Sequence, residues 1–140
     1  MSDLVKLRED HAILARMFRQ LEQIIAEPEA PPAVDLFELR HKLMSTLIAH
    51  LKFEDWALYP RLIDSGDEQA SASGQAFKDE MSSLAPAFHD YCEKWTTSTI
   101  PLAWESYCRA SRSLLDALVD RLTRENRELL PLLERLERAA

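Results

Sequence analysis

The chain has 140 residues, which is enough for one domain and too few for two, so we expect a single domain over residues 1–140. Its formal net charge is −7, which argues against a nucleic-acid partner because a phosphate backbone would be repelled. Two glycines and 29% charged residues favour helices over a turn-rich sheet protein.

The sequence also carries no sign of a membrane partner or of export. No stretch approaches the roughly 18 consecutive apolar residues of a membrane span. The N-terminal segment MSDLVKLREDH is charged and amphipathic, unlike a secretory signal. We therefore expect a cytoplasmic protein, in which the distant Cys92 and Cys108 are free thiols.

The first predicted helix has a histidine in its inward-facing stripe. Apolar residues recur at spacings of three and four, the pattern of a helix with one buried face, and His11 fills the one gap in the series. Its apolar members are Leu4, Leu7, Leu14, Phe18, Leu21 and Ile25. The three prolines of EPEAPPAVD (27–35) end this helix and make Asp35 a candidate N-cap for the next.

The second predicted helix has two polar residues in its stripe. His50 and Glu54 occupy inward positions that otherwise hold leucines, and the helix is expected to end near Pro60. The polar, Ser-rich segment IDSGDEQASASG (63–74) then predicts a loop or a frayed helix start.

The third and fourth predicted helices differ in what they direct inward. The third stripe contains no histidine and is interrupted by Pro86, which should bend the helix. The fourth has Arg121, Glu125 and Glu128 at consecutive inward positions. The remaining stripe residues are Phe77, Met81, Leu84, Phe88, Tyr91 and Trp95 in the third helix, and Tyr107, Ser111, Leu114, Leu118 and Leu132 in the fourth. Four such helices predict an all-α, antiparallel up-down four-helix bundle.

An internal repeat relates the two halves of the chain. The segments HLKFEDWALYP (50–60) and RLTRENRELLP (121–131) share leucines, a glutamate and a final proline, so Arg121 is the counterpart of His50. DHAILARMF (10–18) aligns with EMSSLAPAF (80–88), so Met81 is the counterpart of His11. Both imidazoles therefore lie in the first half.

The inward polar residues form a plausible ligand set for a metal ion. His50 and Glu54 are one turn apart and point in the same direction, while His11 and Glu125 come from other helices. Imidazoles and carboxylates suit Fe(II), Zn(II) or Mn(II), and bundle interiors often hold such ions.

The DHxxL start, the HxxxE followed by LYP and the final ENRELLP resemble the hemerythrin or HHE cation-binding family over essentially the whole chain. This resemblance implies a non-haem di-iron centre held by five histidines and two bridging carboxylates, in proteins that bind O2 or sense oxygen, redox state or iron. His11, His50 and Glu54 match the ligands of the first two helices. Glu125, which we prefer to Asn126, falls near the last bridging carboxylate.

The chain departs from this family pattern around one of the two irons. Met81 and Arg121 stand where the resemblance implies histidines of the third and fourth helices, so a reversible di-iron O2 carrier is not expected. A guanidinium offers positive charge and a fork of donors that suits carboxylates. We therefore hypothesise that Arg121 replaces the second ion electrostatically.

Two functions from different classes follow. The first is a metal-binding protein with one divalent ion, iron in preference to zinc or manganese, held by His11, His50, Glu54 and Glu125, with open positions for O2 or another diatomic in sensing or storage. The alternative is a metal-free regulatory or interaction bundle in which Arg121 pairs with Glu54 and Glu125. An oxidoreductase is a third interpretation, and we do not expect an enzyme.

Several further residues are candidates for the same site or for positions near it. His89 and Glu93 repeat the HxxxE spacing, but they lie beside the stripe and are expected at the surface, as is His41. Glu80 borders the stripe and is a weaker ligand candidate. Glu128 and Tyr59 are candidates for orienting the ligands. Tryptophans at helical spacing, Trp56 among them, are expected in the core.

Overall fold

The computed structural model describes residues 2–139, and within that range the chain is almost entirely helical. The all-α class predicted from the sequence is confirmed. The long helices are α1 (Asp3–Ile25), α2 (Ala33–Phe53), α4 (Glu68–Lys94) and α5 (Trp104–Ala139). A π-helical turn (Glu54–Leu58) joins α2 to the short α3 (Tyr59–Ile63), and a 3₁₀ turn (Ile100–Ala103) precedes α5.

Contacts between helices establish the antiparallel arrangement. Arg8 near the start of α1 pairs with Glu134 near the end of α5. In the same way Tyr91 of α4 lies 2.6 Å from Ser111 of α5, whereas Phe77, a few turns earlier, meets Arg121 further along α5. The long helices therefore alternate in direction, as expected for an up-down bundle.

The predicted helix boundaries are corrected at three places. Helix α2 begins at Ala33 after an extended Pro32, so Asp35 lies in its first turn and is not the N-cap. The helical segment that begins with α2 does not end near Pro60. The π-helical turn before this proline changes the hydrogen-bond ladder, and α3 continues the segment to Ile63. Helix α4 already begins at Glu68, because the Asp67 carboxylate accepts a hydrogen bond from the Ala70 N–H and caps it.

The core consists of two apolar clusters separated by a polar layer. The larger cluster includes Leu14, Leu47, Phe88 and Leu118, and the smaller one includes Leu7, Leu58, Phe77 and Leu129. The residues that lie between the clusters along the chain are His11 on α1, His50 and Glu54 at the end of α2, Met81 on α4, and Arg121 and Glu125 on α5. The four helices thus cross one common layer, and α4 contributes only an apolar side chain to it.

Two side chains expected in the interior are exposed. The stripe predicts Glu128 on the inward side of α5, but Leu129, one full turn beyond Glu125, is buried there and Glu128 faces outward. Trp56 is 72% exposed, because Glu54 and Leu58 on either side of it turn inward within the π-helical turn. Every helix within residues 2–139 is too short or too polar to cross a bilayer.

Candidate metal centre

Four buried side chains from three helices meet in the polar layer. His11, His50, Glu54 and Glu125 each offer one ligand atom, and these four atoms all lie within 4.8 Å of one another. The two imidazole rings are arranged edge to face with their centroids 5.1 Å apart. None of the four residues is more than 3% exposed. The structure thus brings together all four residues that the sequence analysis selected as ligands.

The two imidazoles are oriented through their Nδ1 atoms by neighbouring polar groups. His11 Nδ1–H donates to Asn126 Oδ1 at 2.6 Å, and His50 Nδ1–H donates to Asp10 Oδ2 at 2.9 Å. These bonds leave each Nε2 with its lone pair, the arrangement typical of histidines that bind a metal ion. Both Nε2 atoms are buried and form no hydrogen bond within residues 2–139.

The pKa of His11 and the pKa of Asp10 both lie below their ordinary values. Burial lowers the pKa of His11, which favours the neutral ring that a metal ion needs. Partial burial alone would raise the pKa of Asp10, but hydrogen bonds from His50 and Lys6 outweigh it and hold this pKa below its ordinary value. Asp10 therefore remains a carboxylate that can accept the hydrogen bond from His50 Nδ1–H.

Glu54 is the most deeply buried carboxyl group of the layer. Its side chain is fully buried, and neither oxygen accepts a hydrogen bond within the described chain. His50 Nε2 lies 3.4 Å from Glu54 Oε2. Burial raises the pKa of Glu54, since removing a carboxylate from water disfavours its charged form. Glu54 also opens the π-helical turn, a feature that occurs frequently at functional sites.

Glu125 is buried next to Glu54 but has more support. The Tyr59 hydroxyl donates to Glu125 Oε2 at 3.4 Å, and Arg121 Nε lies 3.6 Å from Oε1. Burial, followed by the neighbouring charge of Glu54, raises the pKa of Glu125 well above its ordinary value. Two carboxyl groups this close in a dry interior repel one another when both are ionised, and a cation between them would relieve that cost.

Arg121 occupies the adjoining part of the layer and is only 2% exposed. It donates to the Phe77 carbonyl oxygen at 3.1 Å and to the Tyr59 hydroxyl, and its Nη1 lies 3.3 Å from Glu80 Oε1. Burial works against the charged guanidinium, but Tyr59, Glu125 and Glu54 outweigh it and raise the pKa of Arg121. The guanidinium pairs with Glu125 and Glu80, and no Glu54 oxygen lies within ion-pair distance of it.

The other candidates named from the sequence lie outside the cluster. His89 and Glu93 pair with each other at 3.1 Å on the surface, where both are about two-thirds exposed. Glu80 turns toward Arg121 and Arg124 and holds no place among the four ligand atoms. His41 is exposed, as is Glu128, whereas Tyr59 is buried against Glu125.

Residues 2–133 match the family model of the hemerythrin HHE cation binding domain. The chain belongs to this family. The resemblance carried by the DHxxL, HxxxE and ENRELLP segments is therefore confirmed. Comparison with curated proteins and with solved structures found no significant match.

The hemerythrin-type donor set of this chain fits one metal ion and not two. Two imidazole Nε2 atoms and both Glu54 oxygens are buried without partners, and a cation would satisfy all of them at once. Beside Glu125 the layer is filled by the guanidinium of Arg121, and the residue that α4 contributes to the layer, Met81, is a poor ligand for a hard ion. The second ion implied by the resemblance has no free donors there among the described residues.

Two groups that orient the histidines were not predicted from the sequence. Asp10 immediately precedes His11 in sequence, yet it accepts the hydrogen bond from His50 on the neighbouring helix. Asn126 was considered only as an alternative bridging ligand, and it instead accepts from His11. A polar residue adjacent to an inward position was the only available signal, and such residues are usually solvated.

Proposed function

We propose that this chain binds one divalent transition-metal ion, with iron as the favoured ion, through His11, His50, Glu54 and Glu125. The observation that carries the proposal is that these four side chains converge in a buried layer, where both histidine Nε2 atoms and both Glu54 oxygens lack any other partner. A polar group left unpaired in a dry interior costs free energy, and a charged one costs more. The unpaired atoms of His11, His50 and Glu54, gathered beside Glu125, are best explained by an ion that they share.

The orientation of the ligands supports the same proposal. Each imidazole has an acceptor on its Nδ1 atom, and such partners fix the ring and raise its basicity toward a metal. Zinc or manganese would also suit two imidazoles and two carboxylates. A bound iron would supply redox chemistry and open coordination positions, which is why we favour a sensing or storage role toward O2 or another diatomic.

A metal-free regulatory bundle is the second candidate. The ion pair between Arg121 and Glu125, at 3.6 Å, favours it because part of the layer is neutralised by the protein itself. It does not account for Glu54, whose oxygens lack a partner in the described chain. The two candidate functions therefore assign different roles to Glu54 and to the two histidine Nε2 atoms.

Metal content per chain tests the proposal. We expect elemental analysis of untagged protein, supplied anaerobically with Fe(II), to give close to one ion per chain, and His50→Ala to bring this close to zero. His89→Ala is the matched control, because His89 has the same HxxxE spacing but lies at the surface. A value near two would place a second ion beside Arg121, and a value near zero for the unmodified chain would favour the metal-free bundle.

Removing the group that orients His11 should weaken metal binding without abolishing it. We expect Asn126→Ala to raise the metal dissociation constant about 10- to 100-fold, the usual effect of losing such a partner. Competition against a chelator of known affinity measures the change. Arg127→Ala, at the next exposed position of α5, should leave the affinity unchanged. An equal effect of both substitutions would mean that the His11–Asn126 bond does not support the ligand.

A further inference from the structure

One side of α2 is unusually apolar for a surface. Seven large hydrophobic residues are exposed within residues 2–139, and four of them belong to α2 and the π-helical turn that follows it. Their separations along the chain are 3, 11 and 8 residues, or about 0.8, 3.1 and 2.2 helical turns, so all four lie within about 100° of one another around the helix. They are Val34 (66% exposed), Phe37 (56%), Ile48 (43%) and Trp56 (72%).

Two hollows flank Ile48 between α2 and α4, and Ile48 lines both of them. The first has a volume of about 490 Å³ and extends from Ile48 to Trp56, and the second has about 380 Å³ and extends from Ile48 to Phe37. We call this surface the α2–α4 face. Besides Ile48 it includes Leu51, Trp56, Met81 and Phe88 around the first hollow, and Phe37, Arg40, His41, Met44 and Cys92 around the second.

The charges of the α2–α4 face differ from those of the whole chain. The first hollow is bordered by two lysines and two aspartates, Lys52, Lys78, Asp55 and Asp79, so it is formally neutral in a chain of net charge −7. The second hollow is bordered by Arg40 and His41. The acidic excess of the protein therefore lies elsewhere, and this face can approach a copy of itself without strong repulsion.

We propose that the α2–α4 face binds a second copy of this chain, with the two α2 helices antiparallel about a two-fold axis near Ile48. Asp55 follows Ile48 by as many residues as His41 precedes it, so this axis brings Asp55 of one copy toward Arg40 and His41 of the other. Trp56 of each copy then reaches the second hollow of its partner. The contact is self-complementary, as an interface about a two-fold axis requires.

The size of the face predicts how strong this dimer is. Residues 37–56 extend about 30 Å at 1.5 Å per residue, and two adjacent helices are about 20 Å wide. Each copy would bury about 600 Å², and the pair about 1,200 Å², at the lower end of specific interfaces. A tryptophan that fills a hollow of the partner is a frequent source of binding energy. We therefore expect a reversible dimer with a dissociation constant in the micromolar range.

Sedimentation velocity of the full chain at about 1–200 μM tests the proposal. The expected result is a concentration-dependent monomer–dimer equilibrium that Trp56→Glu and Ile48→Glu each weaken at least tenfold. Leu102→Glu is the control, because Leu102 is 86% exposed on the 3₁₀ turn, away from this face. Circular dichroism and metal content should be unchanged in all three variants, because each replaces an exposed side chain.

A cysteine at the proposed axis gives an independent test of the geometry. Ile48→Cys should form a disulfide-linked dimer on mild oxidation, because a residue on a two-fold axis meets its own counterpart. Val119→Cys, at an exposed position of α5, should not do so. A chain that stays monomeric up to about 200 μM, or a dimer unaffected by Trp56→Glu and Ile48→Glu, would overturn the proposal.

Discussion

Arg121→Ala is expected to lower the free energy of unfolding by about 3–5 kcal/mol, a large part of the roughly 5–15 kcal/mol available to a domain. The substitution leaves the carboxylate of Glu125 buried without its cation, 3.6 Å from where Arg121 Nε had been. It also removes the donors to the Phe77 carbonyl and the Tyr59 hydroxyl. Urea unfolding of the metal-free protein, with and without the substitution, measures the loss.

Two further variants separate the charge effect from simple loss of volume. Arg121→Met keeps most of the side-chain volume, so it should remain strongly destabilised if charge is what matters. Arg124→Ala removes a neighbouring arginine whose partners are the half-buried Glu80 and the exposed Asp120, and it should cost less than Arg121→Ala, about 1 kcal/mol. If Arg121→Met restored the stability, or if Arg124→Ala were as costly as Arg121→Ala, the surrogate role of Arg121 would be wrong.

The polar layer was largely predictable because each of its members interrupts a regular apolar stripe. His11, His50, Glu54, Arg121 and Glu125 all stand at helical positions that otherwise carry buried apolar residues, and all five are buried. The internal repeat also showed which positions of the two halves correspond, since it paired Arg121 with His50 and Met81 with His11. Buried polar residues are costly, so their place in a stripe is a strong signal even without a structure.

What could not be predicted depends on rotations of less than one helical turn. Glu128 and Leu129 are adjacent candidates for the same inward position, and the larger apolar burial of Leu129 decides between them. The π-helical turn at Glu54 leaves no periodic signal because it lasts a single turn. The orienting contacts of Asp10 and Asn126 depend on how neighbouring helices are rotated against each other. The predicted pairing of Arg121 with Glu54 was wrong for the same reason, since the guanidinium turns toward Glu80.

Replacing Glu54 by leucine is expected to change the free energy of unfolding in the opposite direction to Arg121→Ala. In metal-free protein Glu54→Leu should raise the free energy of unfolding by about 1–3 kcal/mol, because it removes a fully buried carboxyl group whose oxygens have no hydrogen-bond partner in the described chain. It also removes the repulsion that Glu54 exerts on Glu125. The same substitution should abolish metal binding. Stability and metal content are measured on the same preparation.

Glu128→Leu provides the matched control, since it makes the same replacement on the exposed side of α5. It should change stability by no more than about 0.5 kcal/mol and leave metal content as it was. The expected pair of results would mean that Glu54 lowers the stability of the metal-free fold and yet is needed to bind the ion. Metal binding would then offset this loss of stability, because a ligand that binds only the folded chain stabilises it. If Glu54→Leu instead lowered the stability of metal-free protein, Glu54 would have a structural partner, and the metal-free bundle would become the better description of this chain.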